Sequence, residues 1–485
     1  MLKIYNTLGK KLEEFKPLKE REVSIYVCGP TVYWYLHVGN FRGPVFFNFV
    51  RNWLEFSGYK VTYALNFTDV DDRILNKARE EGKSASEVSE YYIDEYKKDF
   101  LSLGLRSHDS NPKVTEYIPE IVTIISHLME KKKAYQAGGD VNFAVEEFKD
   151  YGKLSGRKTD EMKEGTRIEV DPNKKSPLDF ALWKHAKPNE DLSWDSPWGK
   201  GRPGWHIECS AMVKGLFGNQ IDIHGGGLDL MFPHHENEIA QSEGASGEHY
   251  VKYWMHWNML NFSGNKMSKS LGNVVFLRDF LKDHHPEVYK WMILSVHYRS
   301  VGDFSDEAIE RAITGLAKFY SSMAMAENLA SDSSMTATLD EKYAGELAEA
   351  WKQITAAFNE DFGTPAAFAV VYEVIRKFNS RVRRGMKMTP LIKGQCEQFF
   401  TFMKTFGSLL SLLQEPPQKF LYQLDDKLLE KMSVKRSDVD ALVDERSRAR
   451  AAKDFAKADV LRKQLTEMKI AVSDLNDSSF WEVSK

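Results

Sequence analysis

Two imidazoles and two carboxylates crowd into Phe232-Pro233-His234-His235-Glu236-Asn237-Glu238. After a proline, where a helix starts, His234 and Glu238 stand at i and i+4 and project from one face, a spacing that suits two ligands of one cation. His235 with Glu238, at i and i+3, serves geometrically as well, so spacing leaves the choice of histidine open. A zinc site takes four ligands drawn from Cys, His and carboxylate. The chain carries three cysteines, Cys28, Cys209 and Cys396. Cys28 ends an apolar run and Cys209 closes Gly204-Trp205-His206-Ile207-Glu208-Cys209; either or both can join the cluster. On residue types alone the stronger reading is plainer: two isolated cysteines are small buried apolar groups and the His-Glu cluster is a solvated helix start. Cys396 sits in a helical apolar pattern and reads as core.

Two other segments suit phosphate. Leu36-His37-Val38-Gly39-Asn40 follows an apolar run and opens a helical pattern, where free backbone N–H groups and the positive end of the helix dipole favour an anion. A histidine there can donate to a phosphate oxygen, although a satisfied histidine beside a turn glycine is common. Far downstream, the segment Gly264-Asn265-Lys266-Met267-Ser268-Lys269-Ser270-Leu271-Gly272-Asn273 sets two lysines between glycines, an arrangement able to swing onto a developing negative charge. The bland alternative is a solvated basic loop.

The elements that must position these groups follow from periodicity. Val23 to Cys28 reads as a short strand, Gly29-Pro30 breaks it, and a helical stretch from about Asn40 to Phe56 leads through Gly58 into a second strand, Val61 to Leu65. This βαβ pattern predicts a parallel sheet. Ligands of such sheets bind beyond the carboxyl ends of strands, where Cys28 and Thr68 lie. From about Arg106 to Lys200 one amphipathic helix, near Val114 to Lys131, is followed by mixed, turn-rich sequence, which predicts an insertion. Ser305 to Leu413 is helical throughout apart from breaks at Thr364-Pro365 and Thr389-Pro390, as in a bundle. After Pro416-Pro417 the chain is again helical and charged, with a short β-like tail.

With 485 residues, two to four modules around one large core are expected. A net charge of −4 excludes a globally basic polyanion binder, so any nucleic-acid surface is local. Candidates are Arg376, Lys377, Arg381, Arg383, Arg384 and Lys387, and a second group of Arg446, Arg448, Arg450, Lys453 and Lys457; either also reads as a solvated helix face. No apolar run approaches membrane length and no secretory leader opens the chain, so a cytoplasmic protein is expected. Three widely spaced cysteines form no disulfide framework.

Taken together, the two phosphate-handling segments resemble the HIGH and KMSKS signatures of class I aminoacyl-tRNA synthetases, the second literally. The blocks CGPTVYWYLHVGN, NFTDVDDRI, GRPGWHIECSAM, DIHGGGLDLMFPHHENEIAQSE and WMHWNMLNFSGNKMSKSLGN, in that order, narrow the resemblance to cysteinyl-tRNA synthetases. DYGKLSGR, DFGTPAAF and KDFAKADVLRKQL extend it nearly end to end. The resemblance implies an α/β fold: a Rossmann-type parallel-sheet catalytic domain (1–110 and 201–250) with an inserted subdomain (111–200). A KMSKS linking region (251–312), a helical bundle (313–415) and a small C-terminal helical or mixed domain (424–485) would follow.

It further implies a ligase acting on L-cysteine, ATP with Mg²⁺ and tRNA(Cys), with one Zn²⁺ per chain held by Cys28, Cys209, His234 and Glu238. A monomer without membrane attachment is expected. His37, Asn40, Lys266 and Lys269 are the candidates to stabilise charge on phosphate. By the same resemblance Trp205 walls the amino-acid pocket; Asp229, after Gly225-Gly226-Gly227, can hold the ribose or the α-ammonium, and Thr31 and Thr68 border the same pocket. The chain departs from the family pattern at Asn40, where a second histidine is usual, and at Gly363, where an asparagine is usual. Two alternatives follow the same core: a cysteine ligase to an aminosugar, as in mycothiol synthesis, which ends soon after the bundle, and a non-catalytic RNA-binding paralogue, which would lack the phosphate lysines.

Overall fold

Side chains alternate faces along a strand, and Glu22–Val27 uses both. Val23, Ile25 and Val27 point into one apolar cluster, whereas Tyr26 and the following Cys28 point into another. The strand is therefore buried on both sides, as parallel strands are. In this computed structural model, which describes residues 1–158, 173–187, 191–262, 265–266, 274–331, 334–383, 386–474 and 479–484, it lies inside a four-stranded parallel sheet. The order is Val251–Trp257, Ile221–Gly227, Glu22–Val27, Lys60–Leu65. Successive connections leave Glu22–Val27 toward opposite edges, so a crevice opens between the carboxyl ends of Glu22–Val27 and Ile221–Gly227.

The crossover helix Arg42–Phe56 packs Val45, Phe46, Phe49, Val50 and Trp53 against the sheet and the bundle. Each such buried side chain stabilises by about 2 kcal/mol. The helix begins at Arg42 after a 3₁₀ turn, Val38–Phe41, somewhat later than periodicity predicts.

Between the second and third sheet strands the chain forms the helix Ile118–Glu130 and an antiparallel sheet in the order Ala134–Ala137, Asp140–Phe143, Phe180–His185, Gly201–Pro203. These strands are too short to display alternation, which is why the segment reads as turn-rich polar sequence. Asp306–Ala330, Glu341–Asn359, Thr364–Arg381 and Pro390–Leu410 form the bundle. Ser305, Asp340 and Thr389 cap three of these helices by accepting the N–H of Ala308, Tyr343 and Ile392. Bundle and sheet domain are tied at buried Asp361, whose carboxylate accepts from Arg299 Nε (2.7 Å), the Tyr298 hydroxyl (2.8 Å) and the Tyr5 N–H (2.8 Å).

The last helices, Pro417–Lys431, Arg436–Ala451 and Phe455–Glu467, close with the hairpin Ile470–Asp474 and Ser479–Val483 around a small separate core of Leu429, Val439, Val443, Leu465, Ile470 and Val483. No helix among the described residues is long and apolar enough to cross a membrane.

Candidate active site and metal centre

A cavity of about 410 Å³ occupies the crevice at the carboxyl ends of the strands. Its floor is Cys28, Cys209 and His234; Trp205, Asp229 and Thr31 flank them, and His37, Gly39 and Asn40 line the same space. Cys28 follows its strand directly, and the next residue must be glycine, since a Cβ on Gly29 would lie 1.8 Å from the carbonyl oxygen of Asn66. Cys209 is on the helix Trp205–Phe217, and Glu238 is in the first turn of Glu236–Ser246. Both helices pack on the Tyr26 side of the sheet, so the alternation that turns Cys28 that way also brings it to its partners.

The four donors meet. Cys28 Sγ lies 3.7 Å from Cys209 Sγ, 3.5 Å from His234 Nε2 and 3.6 Å from Glu238 Oε1, and His234 Nε2 lies 3.1 Å from Glu238 Oε1. A tetrahedral zinc with bonds of about 2.3 Å to sulfur and about 2.0–2.1 Å to nitrogen or oxygen requires edges of about 3.8 Å between sulfurs, about 3.6 Å from sulfur to nitrogen or oxygen and about 3.4 Å from nitrogen to oxygen. These four edges fit that polyhedron, while Cys209, which reaches the set through Cys28, is not among the donors that lie within 4.8 Å of one another. His235 also brings a ring nitrogen within 4.8 Å of the Cys28, His234 and Glu238 donors. Its Nδ1 is engaged with His256 Nε2 at 2.8 Å, and its Nε2 is buried with no hydrogen-bond partner. Its ring lies on Gly226, where a Cβ would come within 2.2 Å of it.

Charge in the cluster points the same way. Burial opposes ionisation of Cys209, but hydrogen bonds from Cys28 and His234 bring its thiol down to about 6. Burial and then the neighbouring Cys209 push the Cys28 thiol up. Burial also works against the Glu238 carboxylate, yet His224 and then His234 hold it well below the usual range. For His234 burial favours the neutral ring, but bonds to Cys209 and Glu238 hold it up to about 10. The site thus gathers enough negative charge to keep a proton on a buried imidazole, and a divalent cation satisfies the same charge better. The outer atoms are also held: Glu238 Oε2 accepts from His224 (2.9 Å) and Tyr250 (3.0 Å), and His234 Nδ1 shares a hydrogen bond with His206 Nδ1 (3.0 Å).

Trp205 stacks on His234, with ring centroids 4.5 Å apart and planes 20° from parallel, and remains 38% exposed to the cavity. The Thr31 hydroxyl accepts from Arg73 Nη2 at 2.8 Å, and Thr31 pairs with Thr68 as an isolated parallel bridge. Thr68 and the exposed Asp229 also line the cavity. On the opposite wall Asn40 Oδ1 accepts the backbone N–H of His37 at 3.1 Å, which leaves the Asn40 amide hydrogens as donors. Lys266 is in the two-residue strand Asn265–Lys266, paired with Asn261–Phe262. Lys269 and the rest of 267–273 lie outside the described residues, as does Arg384.

Several lining residues carry no signal in the sequence alone: Asn66, whose Oδ1 accepts the Gly29 N–H at 2.8 Å, Arg73, Trp257 and Asn258. Arg446 is a correction. It is only 4% exposed, turned into the small C-terminal core, and so leaves the second basic group, whose Arg448, Arg450, Lys453 and Lys457 are exposed. In the first group Arg376 pairs with Glu373 and Arg381 with Glu346, each at 2.7 Å.

Comparison with known proteins gives three family matches: the class I (C) tRNA synthetase catalytic domain over residues 14–314, the DALR domain over 353–414 and the cysteinyl-tRNA ligase anticodon binding domain over 436–481. A cysteine–tRNA ligase of Bdellovibrio bacteriovorus is 61% identical over 485 residues, covering 100% of both chains. One from Desulfotalea psychrophila is 41% identical over 491 residues, covering 100% of this chain and 99% of the relative. Among solved structures, Mycobacterium tuberculosis methionyl-tRNA synthetase with methionyl-adenylate aligns with a TM-score of 0.61 at 13% identity, over 81% of this chain and 91% of that one. A Campylobacter jejuni protein described as a putative arginyl-tRNA synthetase aligns with a TM-score of 0.56 at 13% identity, over 83% and 95%. At such identities these two speak to the fold alone.

Proposed function

The chain belongs to the cysteinyl-tRNA synthetase family, and from that premise we propose that it activates L-cysteine in the crevice of the parallel sheet and passes it to the 3′ end of tRNA(Cys). The observation that carries this reading is the single cavity that joins a soft, anionic donor cluster to a phosphate-binding turn. Cys28, Cys209, His234 and Glu238 would hold zinc. When bound, zinc supplies a soft Lewis acid that prefers a thiolate to an alcohol, and so separates cysteine from serine.

The remaining work falls to the chain. Trp205 closes the side-chain pocket, while Thr31, Thr68 and Asp229 border the α-ammonium and ribose. A carboxylate oxygen of cysteine bonds to the α-phosphorus of Mg²⁺-ATP as the bond to the β-phosphate oxygen breaks, and pyrophosphate leaves with that electron pair. His37, through its side chain, and Asn40, through its amide hydrogens, stabilise charge on the phosphate oxygens, joined by Lys266 and Lys269. A terminal ribose hydroxyl of the tRNA then attacks the adenylate carbonyl, and AMP departs.

The test is charging of a cysteine-tRNA transcript with cysteine, with serine, and with an aminosugar offered as acceptor in place of tRNA. Cysteine is charged and serine rejected by a factor on the order of 10⁴, the range reached when a site is built around one polar contact. Adenylate formation with transfer only to the aminosugar would overturn the reading. The enzyme is proposed to act as a cytoplasmic monomer.

The exposed cations of the C-terminal domain are assigned to the anticodon arm. Replacing Arg448, Arg450 and Lys453 together by alanine raises the KM for tRNA by about tenfold or more, as expected for lost phosphate contacts. Cysteine-dependent ATP–pyrophosphate exchange stays unchanged. An equal fall in exchange would refute the assignment.

A further inference from the structure

Arg42 is a buried cation with no carboxylate partner among the described residues. It is 2% exposed, and burial lowers its pKa to about 10. Its guanidinium instead donates to backbone carbonyls: Nη1 to Asn258 (2.8 Å) and Met259 (2.5 Å), and Nη2 to His297 (3.3 Å), Tyr298 (3.4 Å) and Ser300 (2.6 Å). A desolvated guanidinium held only by carbonyl dipoles is costly, and a planar five-donor fork is the one side chain able to gather so many of them.

What it gathers is informative. Arg42 opens the crossover helix two residues after Asn40, so it moves with the phosphate-binding turn. Asn258 and Met259 line the active cavity, and the chain runs from them into Leu260–Phe262, the strand that pairs with Asn265–Lys266 on one edge and Gly302–Phe304 on the other. The second group of carbonyls, at 297–300, leads into that other edge strand. Arg42 therefore fixes, to the turn that bears His37 and Asn40, the root from which the lysine segment departs. The root to which it returns is fixed separately: Val38 N–H donates to the Val275 carbonyl (2.9 Å), Leu277 N–H donates to the Leu36 carbonyl (3.3 Å), and His37 bridges Phe276.

We infer that Arg42 is a positioning residue for the activation step, a buried fork that sets the distance between the phosphate-binding turn and the entering root of the lysine segment. The inference rests on the functional reading above. Arg42 touches no substrate; it acts by placing groups that do, where a displacement of about 1 Å is enough for a 10²-fold loss of rate.

The experiment compares the full-length wild type with Arg42→Lys, Arg42→Met and Gly302→Ala in cysteine-dependent ATP–pyrophosphate exchange, with zinc content and melting temperature measured on each. Lysine keeps the charge but cannot fork. An alanine Cβ at 302 would lie 3.1 Å from Arg42 Nη1 and 2.8 Å from Leu260 Cδ1, and so displaces the fork with the arginine in place.

We expect kcat for exchange to fall by about 10²-fold in Arg42→Lys and Arg42→Met, and by about tenfold in Gly302→Ala. The KM for cysteine and the zinc content should stay within about twofold of wild type. Full kcat in Arg42→Lys would overturn the inference, as would a parallel loss of zinc, cysteine affinity and rate in Gly302→Ala. A wild type without exchange activity would instead defeat the functional reading itself.

Discussion

Cys209→Ser should purify without zinc and lose about 10³-fold or more in cysteine-dependent pyrophosphate exchange, because it removes the contact on which a selectivity of order 10⁴ is built. The substitution changes one atom in a buried position on the cavity floor, so the fold is kept while a soft donor becomes a hard, neutral one. Cys209 is also the thiol whose hydrogen bonds from Cys28 and His234 favour ionisation against its burial, whereas burial and then Cys209 push Cys28 up. Its loss therefore removes anionic charge as well as a ligand, and leaves His234 and Glu238 as an ordinary buried pair 3.1 Å apart. Zinc content by metal analysis and the ratio of cysteine to serine activation are the measurements. A zinc-free variant that still prefers cysteine over serine by the wild-type ratio would refute zinc as the specificity element.

Removing the lysine charges has the second largest effect. Lys266→Met with Lys269→Met is expected to slow adenylate formation by about 10³-fold, since each cation offsets charge that develops on phosphate only as the transition state forms and is worth about 10²-fold or somewhat less. The KM for cysteine should hardly change, because the proposed amino-acid pocket is the part of the cavity lined by Trp205, Thr68 and the metal donors. Lys266 enters this argument through its strand, whose pairing with Asn261–Phe262 sets it one residue from the cavity wall at Leu260. Single-turnover adenylate formation measures the effect directly, and an unaltered rate would remove these lysines from the mechanism.

Much of the parallel-sheet architecture is legible in the sequence because each of its parts has a local signature: apolar strands, a glycine-proline break, a helical period and capped bundle helices. The donors are legible as residue types. Their convergence is not, since nothing in the spacing of Cys28, Cys209 and His234 says that one strand face and two helices point into the same volume. That fact belongs to the alternation of Tyr26 and Cys28 against Val23, Ile25 and Val27. The inserted sheet escapes because strands of three to six residues carry too few alternations to count. Arg42 escapes because a cation near a helix start looks solvated, and Arg446 misleads in the same way: only packing reveals that both are buried. The family resemblance supplies what spacing withholds, the choice of His234 over His235; in the structure both rings reach the donor group.

The donor atoms that touch at 3.7 and 3.6 Å belong to residues separated by 181 and 210 positions along the chain. Closing spans of that length early would hold the chain in a loop whose entropy penalty no nearby contact offsets. During synthesis the strand bearing Cys28 leaves the ribosome long before its partners, and the set is complete only after Glu238 has emerged, near the middle of the 485-residue polypeptide. Ion uptake at the proposed site would therefore be a late event, one that follows the first three strands of the parallel sheet rather than starting them. A nascent chain halted before that point would expose two thiols without a trap for metal, which makes the interval between Cys209 and His234 the window in which this protein is most open to oxidation.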